Sequence, residues 1–240
     1  MKSLKLTTLI AAIFAVVTPS LVEAQTTPAA QPTICNRACW TARAGTCSTL
    51  LGSLTRAIIH HTASSSDFTT TSLESSKSKM RGHQNYHMDT VGHCDIAYHF
   101  MVDKLGNIFE ARKDSMGSSS VWKKGAHAGC GNVNTMGFSF MGYFHSPYYN
   151  DPPTAMQNAM YDVIAWRMPS GWSPYGERTT YSGSLNGTAA PLDTHIWVGA
   201  NPGTGCAYTS CPGDILINNY ITSNSTAGPM RTVHVNRRRR

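Results

Sequence analysis

Two segments far apart in the chain restrict what it can become. Arg56-Ala57-Ile58-Ile59-His60 is apolar and partly β-branched, so it reads as a buried strand that ends on a histidine. Cys211-Pro212-Gly213-Asp214 places a cysteine where a helix begins. With His195 between them, the chain offers two imidazoles and a thiolate. That set gives a catalytic zinc three protein ligands and one open position for water. A neutral imidazole nitrogen suits zinc well. The fold must then bring positions 60, 195 and 211 to one point.

The rest of the pattern predicts an α/β domain, a central mixed β-sheet flanked by helices. Ser64 to Asp67 reads as a loop rich in helix-capping residues. Leu73, Met80, Gln84 and His87 fall on helical spacing between about Ser72 and Met88. Ile96 to Val102 reads as a strand. Lys104-Leu105-Gly106-Asn107 is a turn, and Ile108 to Ala111 completes the hairpin. Met136 to Gly142 alternates as a further strand. A helix is predicted from Thr154, with Thr154 as its cap and a buried stripe of Met156, Met160, Val163, Ile164 and Met168. Gly- and Ser-rich Ser170 to Leu192 reads as a long surface excursion, and Asp214 to Ile221 as a last helix.

The ends of the 240-residue chain carry different signals from its middle. Met1 to Lys5 is a short basic segment, Leu6 to Val17 is apolar, and Val22-Glu23-Ala24 supplies small residues for cleavage after Ala24. Residues 1–24 therefore read as a secretory signal peptide, too short in its apolar run for a membrane span of roughly 20 residues. Residues 25–34 form a polar linker, the domain is expected over 35–223, and 224–240 read as a basic disordered tail.

The net charge of +7 is concentrated at those ends, because between Gln25 and Met230 there are 13 Lys and Arg against 12 Asp and Glu. A nearly neutral domain with one terminal Arg cluster lacks the basic face that nucleic acid requires. The Arg237 to Arg240 run reads as a solvated end, its functional alternative being contact with an anionic surface such as a cell wall or membrane. Asn186-Gly187-Thr188 and Asn224-Ser225-Thr226 are glycosylation sequons.

Seven cysteines in a secreted chain leave one unpaired. If Cys211 is a metal thiolate, the other six can form three bridges, in any of fifteen connectivities.

Several motifs in order carry a resemblance. They are Arg37-x-x-Trp40, Ile58-Ile59-His60-His61-Thr62-Ala63, and Met80-Arg81-x-x-Gln84-x-Tyr86-His87-Met88. Asp95-Ile96-Ala97-Tyr98-His99-Phe100, Gly106-x-Ile108-Phe109-Glu110-Ala111-Arg112 and Gly125-Ala126-His127-Ala128-Gly129 with Asn132 follow, then Met136 to Gly142 and Cys211-Pro212-Gly213-Asp214. From Cys35 to Ile221 the chain resembles the peptidoglycan recognition protein and type 2 N-acetylmuramoyl-L-alanine amidase family.

The resemblance implies Zn2+ held by His60, His195 and Cys211. It implies Tyr98 beside the metal, and Thr209 near the developing oxyanion. It also implies His127 along a groove that takes peptidoglycan or muropeptides. His61, pointing away from His60 in a strand, is expected only as a supporting contact.

Two departures stand out. Ile196 follows His195 where the family has Arg, and fifteen residues separate His195 from Cys211, more than the family spacing. Cys206 in that insertion is the alternative ligand.

Three functions compete: a secreted zinc amidase, a peptidoglycan-binding protein without catalysis, and a protein whose Cys211 is oxidised in a disulfide. The Ser-rich segment from Asp114 to Lys124, longer than in relatives, leaves the preferred stem peptide open.

Overall fold

The computed structural model describes residues 28–175, 179–180, 188–199, 209–221 and 230. The proposed signal peptide, Cys206, Asn186, Asn224 and the terminal arginines lie outside the described residues.

The strands are β1 (Ile34–Cys35), β2 (Arg56–His61), β3 (Phe100–Val102), β4 (Ile108–Glu110), β5 (Thr135–Phe140), β6 (Thr179–Thr180), β7 (Thr188–Ala189) and β8 (Leu192–Thr194). The α-helices are α1 (Leu73–Asn85), α2 (Thr154–Arg167), α3 (His195–Gly199) and α4 (Asp214–Leu216). Six strands form one mixed sheet in the order β1-β4-β3-β5-β2-β8, in which only the β3–β4 hairpin is antiparallel. β6 and β7 make a separate two-stranded ribbon.

Strand β2 lies inside this sheet, between β5 and β8, and is covered on both faces. Ala57 and Ile59 join the main core with Met80, Phe100, Phe138, Met160 and Ile164. Ile58, one residue out of phase, packs on the opposite face with Ala128, Cys130 and Val198. Strand alternation places His60 on the same face as Ile58 and His61 on the same face as Ile59. Helix α2 covers β3, β4 and β5, while α3 covers β2. Phe100 stacks on Phe138 across the β3–β5 pair, ring centroids 5.8 Å apart.

Helix α1 starts where Ser72 caps it, with Ser75 completing a reciprocal capping box. Met80 and Gln84 are buried on it and His87 lies in the π-helical turn (Tyr86–Thr90) that follows, whereas Leu73 is exposed. Gln84 and Arg37 both meet the buried Asp95, at 2.9 and 3.0 Å. The Trp40 indole donates to the Glu110 carbonyl. The Arg37, Trp40 and Gln84 motif positions therefore clip the N-terminal segment and α1 to the sheet.

Four expectations are corrected. The strand expected from Ile96 begins only at Phe100. Upstream, the Asp95 carboxylate takes the Ile96 N–H, and the carbonyls of Ala97 and Tyr98 serve Ala126 and Arg112. Thr154 is the first helical residue rather than the cap. Pro153 holds that position and its carbonyl accepts from the Gln157 N–H. The predicted last helix keeps α geometry only to Leu216 and continues as a π-turn (Ile217–Ile221). The surface excursion ends in the core: Leu192 is fully buried in β8, and Trp172 packs on the core with its indole N–H donated to Thr55.

Cys35–Cys39 and Cys47–Cys94 are disulfides, and Cys130 is disulfide-bonded as well. Chain entropy makes the two described bridges unequal. Removing Cys47–Cys94, which closes a 47-residue separation, is expected to cost about 4 kcal/mol. Removing Cys35–Cys39, separated by 4 residues, is expected to cost about 2 kcal/mol. Denaturant unfolding of the two double-serine variants checks this, and equal losses would contradict it.

Candidate metal centre

His60 and His195 meet because β2 and β8 run parallel in register. Ile59 is paired with Thr194, so the next residue of each strand emerges side by side at the carboxyl ends. Their rings lie 4.7 Å apart. His195 is also the first residue of α3, so the backbone turns away there and leaves its imidazole over β2.

Cys211 arrives from a tight turn. Its N–H is donated to the Thr209 hydroxyl at 3.1 Å, and its carbonyl accepts from the Ile196 N–H at 2.7 Å. Gly213 has φ +99°, and a Cβ there would sit 2.6 Å from the Phe144 carbonyl oxygen, so only glycine fits. This accounts for the glycine of the Cys-Pro-Gly-Asp motif.

One donor atom from each of His60, His195 and Cys211 lies within 4.8 Å of the others. Cys211 Sγ is 3.6 Å from His60 Nδ1. A tetrahedral zinc with Zn–S of about 2.3 Å and Zn–N of about 2.05 Å separates its sulfur and nitrogen ligands by about 3.6 Å. The donor chemistry therefore suits zinc, and the His60–Cys211 separation matches it. Cys211 is a free, buried thiol, which removes the oxidised-Cys211 alternative.

Burial dominates the electrostatics. It pushes His60 well below the usual imidazole range, aided by His195 and His127, and lowers His195 to about 4. Both histidines are thus neutral and able to ligate. Burial raises the Cys211 thiol to about 12, opposed by the His61 N–H that points at its sulfur from 3.3 Å. A metal entering here displaces the thiol proton.

Tyr98 lies beside this cluster, its ring 5.1 Å from that of His60. It sits in the irregular segment before β3, and its hydroxyl donates to the His61 carbonyl at 3.3 Å. Burial, and then the Cys211 charge, push the phenol upward, so it remains a protonated donor. Thr209 caps the Cys211 turn through its hydroxyl oxygen, which leaves its proton free to donate.

His127, expected along the substrate groove, packs against His60. It is buried, and its Nδ1 lies 2.9 Å from His60 Nε2. The reason is local: Gly125 and Gly137 supply the room for its ring behind β2. His61 faces the other side, against Tyr143, Phe144 and His145.

A groove of about 540 Å³ opens next to Tyr98, lined among others by Thr62, Asp67, His83, Tyr86 and His87. Asp67 accepts from Thr62 and pairs with His83, both at 2.6 Å, tying the β2 exit to α1. Neither His83 nor Asp67 stands out in the sequence as a site residue. Their shared signal was only a polar residue on each of two separate elements. A larger hollow of about 850 Å³ at Leu50, Trp122 and Trp166 contains no metal donor, so chemistry and not size locates the site.

The family described as N-acetylmuramoyl-L-alanine amidase (Amidase_2) matches residues 52–214. Peptidoglycan-recognition protein SC2 of Drosophila simulans is 30% identical over 168 residues, 69% of this chain and 86% of the relative. Peptidoglycan-recognition protein SC1a of Drosophila melanogaster is 32% identical over 168 residues, 68% of this chain and 82% of the relative. Among solved structures, Drosophila peptidoglycan recognition protein SD superposes with a TM-score of 0.58 at 22% identity, covering 82% of this chain and all of that one. The human PGRP-IβC chain, solved with glycosamyl muramyl pentapeptide, gives 0.57 at 24% identity over 81% of this chain and 98% of its own. The sheet order, the His-His-Cys cluster and these matches converge: the chain belongs to the N-acetylmuramoyl-L-alanine amidase family, among relatives named as peptidoglycan recognition proteins.

Proposed function

We propose that this protein is a secreted, zinc-dependent amidase that hydrolyses the bond between the N-acetylmuramic acid lactyl group and L-alanine in peptidoglycan. The observation that carries the reading is the complete donor set: two neutral imidazoles and one unoxidised thiol converging beside a protonated tyrosine. The family description names the bond, and the relatives' names supply peptidoglycan as the ligand class. The disulfides and the signal-like residues 1–24 support export. Among the described residues no helix is long and apolar enough to cross a membrane.

His60, His195 and Cys211 would hold the ion. Zinc so bound lowers the pKa of water toward about 7 and polarises a carbonyl. Tyr98, a protonated phenol beside the donor cluster, would donate its O–H to the negative charge that develops on the carbonyl oxygen. Thr209 is the second donor, its hydroxyl oriented by the Cys211 N–H. The buried histidines behind His60 exclude water from the back of the site. Addition of water across the amide leaves a lactyl carboxylate and a free L-alanine amine.

The relatives' names favour a second reading, recognition of peptidoglycan without cleavage. One experiment separates the two. Protein purified without chelator and supplied with zinc is analysed for metal and incubated with a muropeptide. One zinc per chain and release of free stem peptide are expected. A chain without zinc, or one that retains muropeptide uncleaved, overturns the amidase reading.

A further inference from the structure

We propose that His127 is a positioning residue that fixes His60 in the one neutral tautomer able to present Nδ1 to a metal. The inference rests on the zinc reading of the site and assigns the geometry behind it.

The proton bookkeeping closes. Thr135 is fully buried, and its hydroxyl donates to the Gly131 carbonyl at 2.5 Å. With that proton committed, its oxygen can only accept from His127 Nε2, 3.4 Å away. That contact requires the proton on His127 Nε2, which leaves Nδ1 bare. The bare Nδ1 faces His60 Nε2 at 2.9 Å, so His60 must carry its own proton on Nε2. His60 Nδ1 is then the unprotonated nitrogen, and it is the one facing Cys211 Sγ at 3.6 Å.

The chain Gly131–Thr135–His127–His60 thus passes a single hydrogen-bond direction from a backbone carbonyl to the metal ligand. Outer-shell hydrogen bonds of this kind set ring orientation and ligand basicity.

The relay is held rigidly. A Cβ on Gly125 or on Gly137 would overlap the His127 ring, so the ring is clamped between them. Asn132 Oδ1 accepts from the backbone N–H of His127 and of Ala128, at 2.8 and 2.9 Å. Behind the ring stands His99, edge-on at 5.6 Å. Its Nδ1 accepts from the Gly137 N–H, and its Nε2 donates to the Lys123 carbonyl. His99 therefore has no nitrogen free to compete for His127.

The test has two readouts. In the metal-free wild type, nitrogen-15 NMR of the histidine side chains should show His60 protonated at Nε2 with Nδ1 bare. Zinc affinity, measured by competition with a chromophoric chelator, should fall about 10–100-fold in His127→Leu. His127→Asn, whose side-chain oxygen occupies the Nδ1 position, should recover most of that loss, which separates hydrogen bonding from simple packing. Leucine and wild type of equal zinc affinity, or a wild-type His60 protonated at Nδ1, would overturn the proposal. A wild type that takes up no zinc refutes the metal reading instead, and the tautomer measurement then decides the relay alone.

Discussion

Replacing Cys211 by serine is expected to reduce muropeptide hydrolysis to background while peptidoglycan binding persists. The sulfur is one of only three protein donors, and a neutral serine hydroxyl is a far weaker zinc ligand than a thiolate. The shorter C–O bond also draws the donor atom back from His60, now 3.6 Å from the sulfur. The substitution removes no side chain that lines the groove beside Tyr98. The fold should persist, because the Cys211 backbone keeps its bonds to Ile196 and Thr209. Zinc content, muropeptide turnover, a peptidoglycan pull-down and a thermal melt together provide the check. Near-full activity would remove Cys211 from the ligand set and overturn the zinc reading of the site.

Tyr98→Phe is expected to lower turnover by about a hundredfold or more with little change in substrate binding. The hydroxyl is held beside the donor cluster as a protonated group, because burial and then the Cys211 charge oppose its ionisation. Its proposed partner is charge that appears only in the transition state, so its removal falls on the chemical step. In the resting protein it also donates to the His61 carbonyl at 3.3 Å. Losing that bond should cost stability by only about 1 kcal/mol. The ring remains to pack against His60 and His87. Steady-state kinetics on a muropeptide give the test, with a thermal melt as the folding control. Unchanged turnover would leave Tyr98 a packing residue and turn attention to Thr209.

Features that rest on local periodicity were legible in the sequence. The Ala57 to Ile59 run, the Gly106 hairpin, the start of α1 at Ser72 and the Met stripe of α2 each declare themselves within a few residues. β8 did not, because its three residues contain a single apolar side chain. Asp193, buried there, satisfies its carboxylate with the N–H groups of Ala190 and Thr194. Such a segment has the composition of a loop until a neighbouring strand supplies its ladder.

The sequence by itself determined the donor types and the family motifs: the histidine ending β2, the Cys-Pro-Gly-Asp turn, and an odd cysteine count that spares one thiol. Tertiary structure alone decided that Ile59 pairs with Thr194 and so sets His60 beside His195. It also decided that His127 stands against His60, its Nδ1 2.9 Å from His60 Nε2. The physical reason is range. Side-chain periodicity is written into neighbouring residues, whereas parallel strand register and the direction of a buried hydrogen bond exist only once distant segments have packed.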